Sequence, residues 1–213
     1  MSHAALPPAV IVAGGLSQRL GGGDKCLLEL GGETILGRVI AALRPQTSAI
    51  LLNSNSDAGL FAARGLEVRP DALPGRLGPL AGIHTAMLWA QGRGGGSVLT
   101  VPADTPFLPP DLAHRLATAG AGGHIVIAAS GGTLHPVIGI WPSALAGLLQ
   151  HDLARGMRGV RAWLARLPFK TVAFETGARD PFWNINTPAD LQCARSELSA
   201  QAMAGTDRNA DAG

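Results

Sequence analysis

The segment Ala13–Lys25, AGGLSQRLGGGDK, places two cations, Arg19 and Lys25, among five glycines directly after an apolar run. Gly14-Gly15 and Gly21–Gly23 let main chain approach an anion closely and aim several N–H groups into one concavity. Arg19 offers a planar fork that can grip a phosphate with two bonds, and Lys25 a compact charge for an oxygen on which charge builds. Only two of the 17 basic residues are lysine, Lys25 and Lys170, so the choice of an ammonium at this place is selective. The loop is not a P-loop, because Asp24 precedes the lysine and no Ser or Thr follows it. Nor does it have the GxGxxG spacing of a dinucleotide site, which disfavours a dinucleotide-dependent oxidoreductase. The chemistry that suits it is triphosphate binding; the plainer alternative is a flexible connection with solvated charges.

Other segments carry further candidates. Asp104, in VPADTPFLPPDL, is a carboxylate just beyond an apolar run, suited to a hard cation such as Mg²⁺, although Asp-Thr-Pro is also turn-like. Asp71, in RPDALPGRLGPLAG, can accept from the paired N1–H and N2–H₂ donors of a guanine edge, or stand as a solvated loop residue. In PFWNINTPADL, Asn184 and Asn186 are spaced by two and project to one side of an extended segment, within reach of phosphate or metal-bound water. Thr187-Pro188 equally starts a helix. His135-Pro136 and the recurring Arg155, Arg158 and Arg161, expected on one helical stretch, complete the set.

The elements that must position these residues alternate between strand and helix. Strands are expected at 9–13, 49–52, 66–69, 97–101, 124–129, 134–140 and 170–174, and helices at 34–43, 57–64, 79–91, 110–118, 143–150, 157–166 and 188–199. Pro136 marks the 134–140 strand as irregular or at an edge. The alternation predicts an α/β fold of three layers, a mostly parallel sheet with helices on both faces, and a ligand beyond the carboxyl ends of the strands. Residues 1–199 read as a single domain and 200–213 as a disordered tail.

Composition narrows the function class. The apolar fraction of 46 % supplies a packed core, and a net charge of +2 without a basic run argues against a nucleic-acid partner. Cys26 and Cys193 have no metal-ligand spacing and read as reduced thiols of a cytoplasmic protein. No run reaches the ~20 apolar residues of a membrane span, and residues 1–8 lack a signal-peptide pattern.

The first loop resembles the GGxSxRMGxxK signature of nucleotidyltransferases of the Rossmann-like nucleotide-diphospho-sugar transferase type. Its GGxDK ending is most similar to the molybdenum cofactor guanylyltransferase family, which joins GMP from GTP to molybdopterin. Leu16 and Leu20 depart from that pattern without removing a charge. The resemblance, from about Pro8 to Leu198, implies that Val12, Ala13, Gly14, Gly15, Lys25, Asn53, Asp71 and Asp104 bind GTP. It also implies that Asp104 holds Mg²⁺, that Lys25, Arg19 and Asp104 are catalytic, and that His135 lies towards the pterin. The N-terminal half would bind GTP and the C-terminal half the acceptor, molybdopterin or Mo-molybdopterin. Transient contacts with cofactor-synthesis proteins and apo-molybdoenzymes are implied as well. Transfer of CMP to the same pterin, a sugar-phosphate acceptor, or a GTP-binding adaptor without catalysis stay open at this point.

Overall fold

A computed structural model describes residues 6–13, 24–75 and 77–210, with 201–210 as backbone alone. β1 (Ala9–Val12) is apolar and buried at every residue. A small antiparallel hairpin follows, β2 (Glu29–Leu30) with β3 (Glu33–Thr34), and then α1 (Ile35–Leu43). Thr34 caps that helix, its side-chain oxygen accepting from Gly37 N–H at 3.0 Å. The chain continues through β4 (Ile50–Asn53), a 3₁₀ segment (Ala58–Arg64), β5 (Glu67–Arg69), α2 (Pro79–Gly92), β6 (Ser97–Pro102) and α3 (Leu112–Ala119). It ends with β7 (Ile125–Ser130), β8 (Thr133–Pro142), α4 (Ala146–Ala154), α5 (Val160–Leu164), β9 (Phe169–Phe174) and α6 (Pro188–Ala210).

Seven strands form one sheet in the order β5-β4-β1-β6-β8-β7-β9, parallel except for β8, which runs antiparallel to both of its neighbours. The expected three-layer α/β architecture is therefore present, and alternation within the strands builds it. Ala9 and Ile11 face a core with α1 and α3, whereas Val10 and Val12 face a second core with α2, α4 and α5. Each fully buried Val, Leu or Ile on these faces contributes roughly 1.5–3 kcal/mol. Strand order reverses at β1, which lies between β4 and β6. A crevice opens at its carboxyl end for that reason.

One expectation is met and one is corrected. The strand carrying Pro136 is irregular, as expected, and it lies inside the sheet rather than at an edge; that irregularity is what admits the proline. Pairing jumps from Ile127–Gly139 to Ala128–His135, so residues 136–138 bulge out of the ladder with β7. The freed Val137 carbonyl accepts from the Thr100 hydroxyl at 2.6 Å, and that hydroxyl oxygen accepts from Trp141 Nε1 at 2.7 Å. Arg155, Arg158 and Arg161 do not share a helix. Arg155 ends α4, Arg161 lies in α5, and Arg158 between them donates to the Leu153 and Met157 carbonyls. The backbone of α6 runs on to Ala210. Among the described residues no helix is long and apolar enough to cross a membrane.

Candidate active site

The crevice is walled by strand ends and by the segment before α6. β6 stops at Pro102, and the turn that follows presents Asp104. The Asp104 carbonyl accepts from Ile185 N–H at 2.9 Å, and the Thr105 hydroxyl donates to Asn184 Oδ1 at 2.9 Å. These bonds lash the 184–186 segment to the end of β6. At its far end Asp190 Oδ2 accepts from Asn186 and Thr187 N–H, while the Thr187 hydroxyl oxygen accepts from Asp190 N–H. That reciprocal cap fixes where α6 begins, and the Asn186 N–H bond is the main reason the Asp190 carboxyl lies below its usual range.

Lys25 enters from the other side on a short 3₁₀ turn (Lys25–Leu27) and is buried. Its Nζ donates to Asp104 Oδ2 at 2.6 Å and to Asn186 Oδ1 at 2.7 Å. A buried ammonium requires such partners. The second carboxylate oxygen, Asp104 Oδ1, is buried and has no hydrogen-bond partner among the described residues. The arrangement leaves one anionic oxygen available to a hard cation. Among the described residues no group of three or more His, Cys, Asp or Glu gathers. A cation here would therefore complete its shell with phosphate oxygens and water, as Mg²⁺ commonly does.

A cavity of about 160 Å³ lies against this pair, lined by Val12, Ala13, Asp24, Lys25, Pro79, Asp104 and Asn184 among others. Cys26 also lines it, but burial and the nearby Asp24 carboxylate push its thiol up to about 12. It stays protonated and is no nucleophile at neutral pH. Pro79 opens α2 after Gly78, whose φ of 74° is a conformation suited to glycine. The N-terminal end of α2 thus meets the cavity with its favourable end for an anion.

A second polar cluster sits at the ends of β4 and β5. Asn53 is fully buried, and its Nδ2 donates to the Arg69 carbonyl at 3.2 Å and to Asp71 Oδ1 at 3.1 Å. Its Oδ1 has no partner among the described residues, so it holds an acceptor in reserve. Gly82 of α2 makes room for it: a Cβ there would stand 2.6 Å from Asn53 Oδ1 and 2.7 Å from Val12 Cγ1. Asn55 Nδ2 donates to Asp71 Oδ2 at 2.8 Å, and the Thr85 hydroxyl oxygen accepts from Ala72 N–H at 2.9 Å.

Of the residues singled out from sequence, the structure gathers Val12, Ala13, Lys25, Asp104, Asn184 and Asn186 around the first cluster, with Asn53 and Asp71 in the second. Gly14, Gly15 and Arg19 lie outside the described residues. His135 does not line the cavity. Its Nε2 is 2.7 Å from Ser130 Oγ, which donates to Asp180 Oδ1 at 2.7 Å, and its ring packs on Phe182. Burial first, with the Arg161 charge adding, lowers its pKa against the opposing pull of Asp180. Asn55 and Thr105 were missed, although each stands in a short polar string that ends a strand.

A molybdenum cofactor guanylyltransferase of Rhizobium meliloti is 49 % identical over 206 residues, 92 % of this chain and 94 % of that protein. The crystal structure of molybdopterin-guanine dinucleotide biosynthesis protein A from Archaeoglobus fulgidus superposes with a TM-score of 0.72 at 25 % identity, covering 91 % of this chain and 99 % of that one. The same fold, at a TM-score of 0.66 and 18 % identity over 91 % of this chain and 99 % of the other, occurs in Rv0371c of Mycobacterium tuberculosis, solved in complex with manganese. The MobA-like NTP transferase domain matches residues 9–172, so the chain belongs to that family and is a nucleotidyltransferase.

Proposed function

We propose that this chain transfers GMP from GTP to molybdopterin or Mo-molybdopterin, releasing pyrophosphate. The observation that carries the reading is the buried Lys25–Asp104 pair with its unpartnered Oδ1 at the carboxyl end of the sheet. A phosphate oxygen of the acceptor forms a bond to the α-phosphorus as the bond from that phosphorus to the bridging oxygen breaks. No covalent enzyme intermediate is needed, and catalysis is positioning and electrostatics. Lys25 places its ammonium against the α-phosphate, and Arg19 holds the departing pyrophosphate. Asp104 would hold a divalent cation, Mg²⁺ by the oxygen chemistry of the site, which would offset charge on the same phosphate.

Val12, Ala13, Gly14 and Gly15 give the nucleotide a main-chain bed. Asn53 and Asp71 face the base, where the carboxylate accepts from the two donors of guanine. Asn184 and Asn186 serve the acceptor side of the reaction centre, with His135 farther along that side. In this scheme 1–199 act as one domain, the N-terminal half for GTP and the C-terminal half for the pterin. The protein works in the cytoplasm and meets cofactor-synthesis proteins and apo-molybdoenzymes transiently.

Calorimetric titration with GTP and Mg²⁺, repeated with CTP, tests the reading. The expected result is saturable heat with GTP and at least about tenfold weaker binding of CTP. Absence of GTP binding, or a preference for CTP, overturns it.

A further inference from the structure

Asn55 is exposed, yet it makes two hydrogen bonds to a single residue. Its Nδ2 donates to Asp71 Oδ2 at 2.8 Å, and its Oδ1 accepts from Asp71 N–H at 2.9 Å. Asn53 donates to the other oxygen, Oδ1, at 3.1 Å. The carboxylate is therefore held at both oxygens, and Asn55 also holds the main chain that bears it. Next to it the Ala72 N–H is tied to Thr85 of α2.

The chemistry of the donors matters. Among the described residues no ion pair involves Asp71. Amides orient a carboxylate without cancelling its charge, whereas a guanidinium would cover both oxygens. A carboxylate has about four acceptor positions, so among the described residues one bond at each oxygen leaves one at each free. Two parallel donors on a ligand can use those free positions only if the carboxylate plane is held within about 10–20°. One amide would leave the group free to turn about its Cβ–Cγ bond. Two amides on opposite oxygens stop that rotation.

We infer that Asn55 is a specificity-determining positioning residue, which sets the Asp71 carboxylate for a ligand edge with two adjacent donors. The inference rests on the proposal that Asp71 reads guanine. Because Asn55 is exposed and sits in a loop, its replacement costs the fold little and leaves selection measurable.

The full chain with Mg²⁺ is titrated with GTP, with inosine triphosphate, which lacks the 2-amino donor, and with ATP. Asn55→Ala should weaken GTP by about tenfold, inosine triphosphate by less, and ATP hardly at all. Asn55→Asp keeps the shape and the acceptor for Asp71 N–H but sets a second carboxylate against Oδ2. It should bind GTP worse than Asn55→Ala at about pH 8 and recover as the pH falls towards about 5, when the pair shares a proton. A purely structural role for Asn55 gives neither the nucleotide dependence nor that pH recovery. Asp71→Asn serves as the control and should cost GTP more than ATP. If it does while Asn55→Ala spares all three nucleotides, or weakens them equally, the role of Asn55 is overturned and the role of Asp71 stands. If Asp71→Asn weakens GTP and ATP alike, Asp71 does not read the base and both fall.

Discussion

The two polar clusters at the carboxyl edge of the sheet are built on opposite plans. The Lys25 cluster buries an ammonium against a carboxylate and an amide brought from 79 and 161 residues away. The Asp71 cluster surrounds one half-exposed carboxylate with neutral amides only 16 to 18 residues distant. The first concentrates full charge where little water enters, and its effect on a phosphate is correspondingly strong. The second spends no charge and specifies direction. In the proposed roles, a reaction centre and a reader of shape would differ in this way: one needs field, the other needs angle.

The largest expected effect breaks the first cluster. Lys25→Ala and Asp104→Ala should each lower turnover by about tenfold or more. Removing one partner of a buried pair also costs roughly 3–5 kcal/mol, with the partial exposure of Asp104 placing this pair towards the lower end. Lys25→Met combined with Asp104→Leu should regain much of the thermal stability lost by either change alone, without regaining turnover. Recovery of turnover in the double variant, or near-normal turnover in either single one, would remove the pair from the chemistry.

A smaller effect is expected from Gly82→Ala, which acts on the second cluster without touching Lys25. The new Cβ would press on Asn53 Oδ1 and Val12 Cγ1. Overpacking of this kind costs about 1–3 kcal/mol. Nucleotide affinity should drop severalfold while turnover of bound nucleotide stays closer to normal. Equal losses in affinity and turnover would mean that the clusters are not separable.

The contrast also explains what was legible in sequence. Strands such as Ala9–Val12 announce themselves because burial on both faces leaves an unbroken apolar run. Asp104 and Asp71 stand out in the sequence as polar residues just beyond strand ends, the edge at which a parallel sheet takes its ligands; residues 14–23 of the glycine loop lie outside the described residues. The bond from Lys25 to Asn186 was not, because no local pattern records which loops a sheet order brings together. Asn55 was hidden for another reason: Asn-Ser-Asn reads as an ordinary turn unless the partner, Asp71, is known to lie opposite. Pro136 marks its strand as irregular in the sequence, and the bulge is that irregularity. A proline is barred from a ladder, but a bulge inside the sheet removes the ladder at that point just as an edge does.

The smallest expected effect concerns acid, and it separates the clusters by their supports. His84 lies in α2, next to Thr85, with its ring buried and neither nitrogen hydrogen-bonded among the described residues. Burial lowers its pKa. A histidine depressed in the folded state binds its proton more readily when unfolded, so its contribution to stability is complete above the ordinary value of about 6.5 and declines as pH falls below it. The α2 support of the Asp71 cluster should therefore loosen on acidification before the 184–186 segment does. Hydrogen exchange corrected for intrinsic rates, compared at about pH 7.5 and about pH 5.5, would show it. The Ala72 amide, held by Thr85, should lose more protection than the Ile185 amide, held by the Asp104 carbonyl. His135 is also depressed and sits beside Phe182, so the assignment needs a variant. His84→Leu should abolish the difference at Ala72 and leave any change at Ile185 intact; a difference that survives in His84→Leu would trace the acid response to the other histidine and its segment.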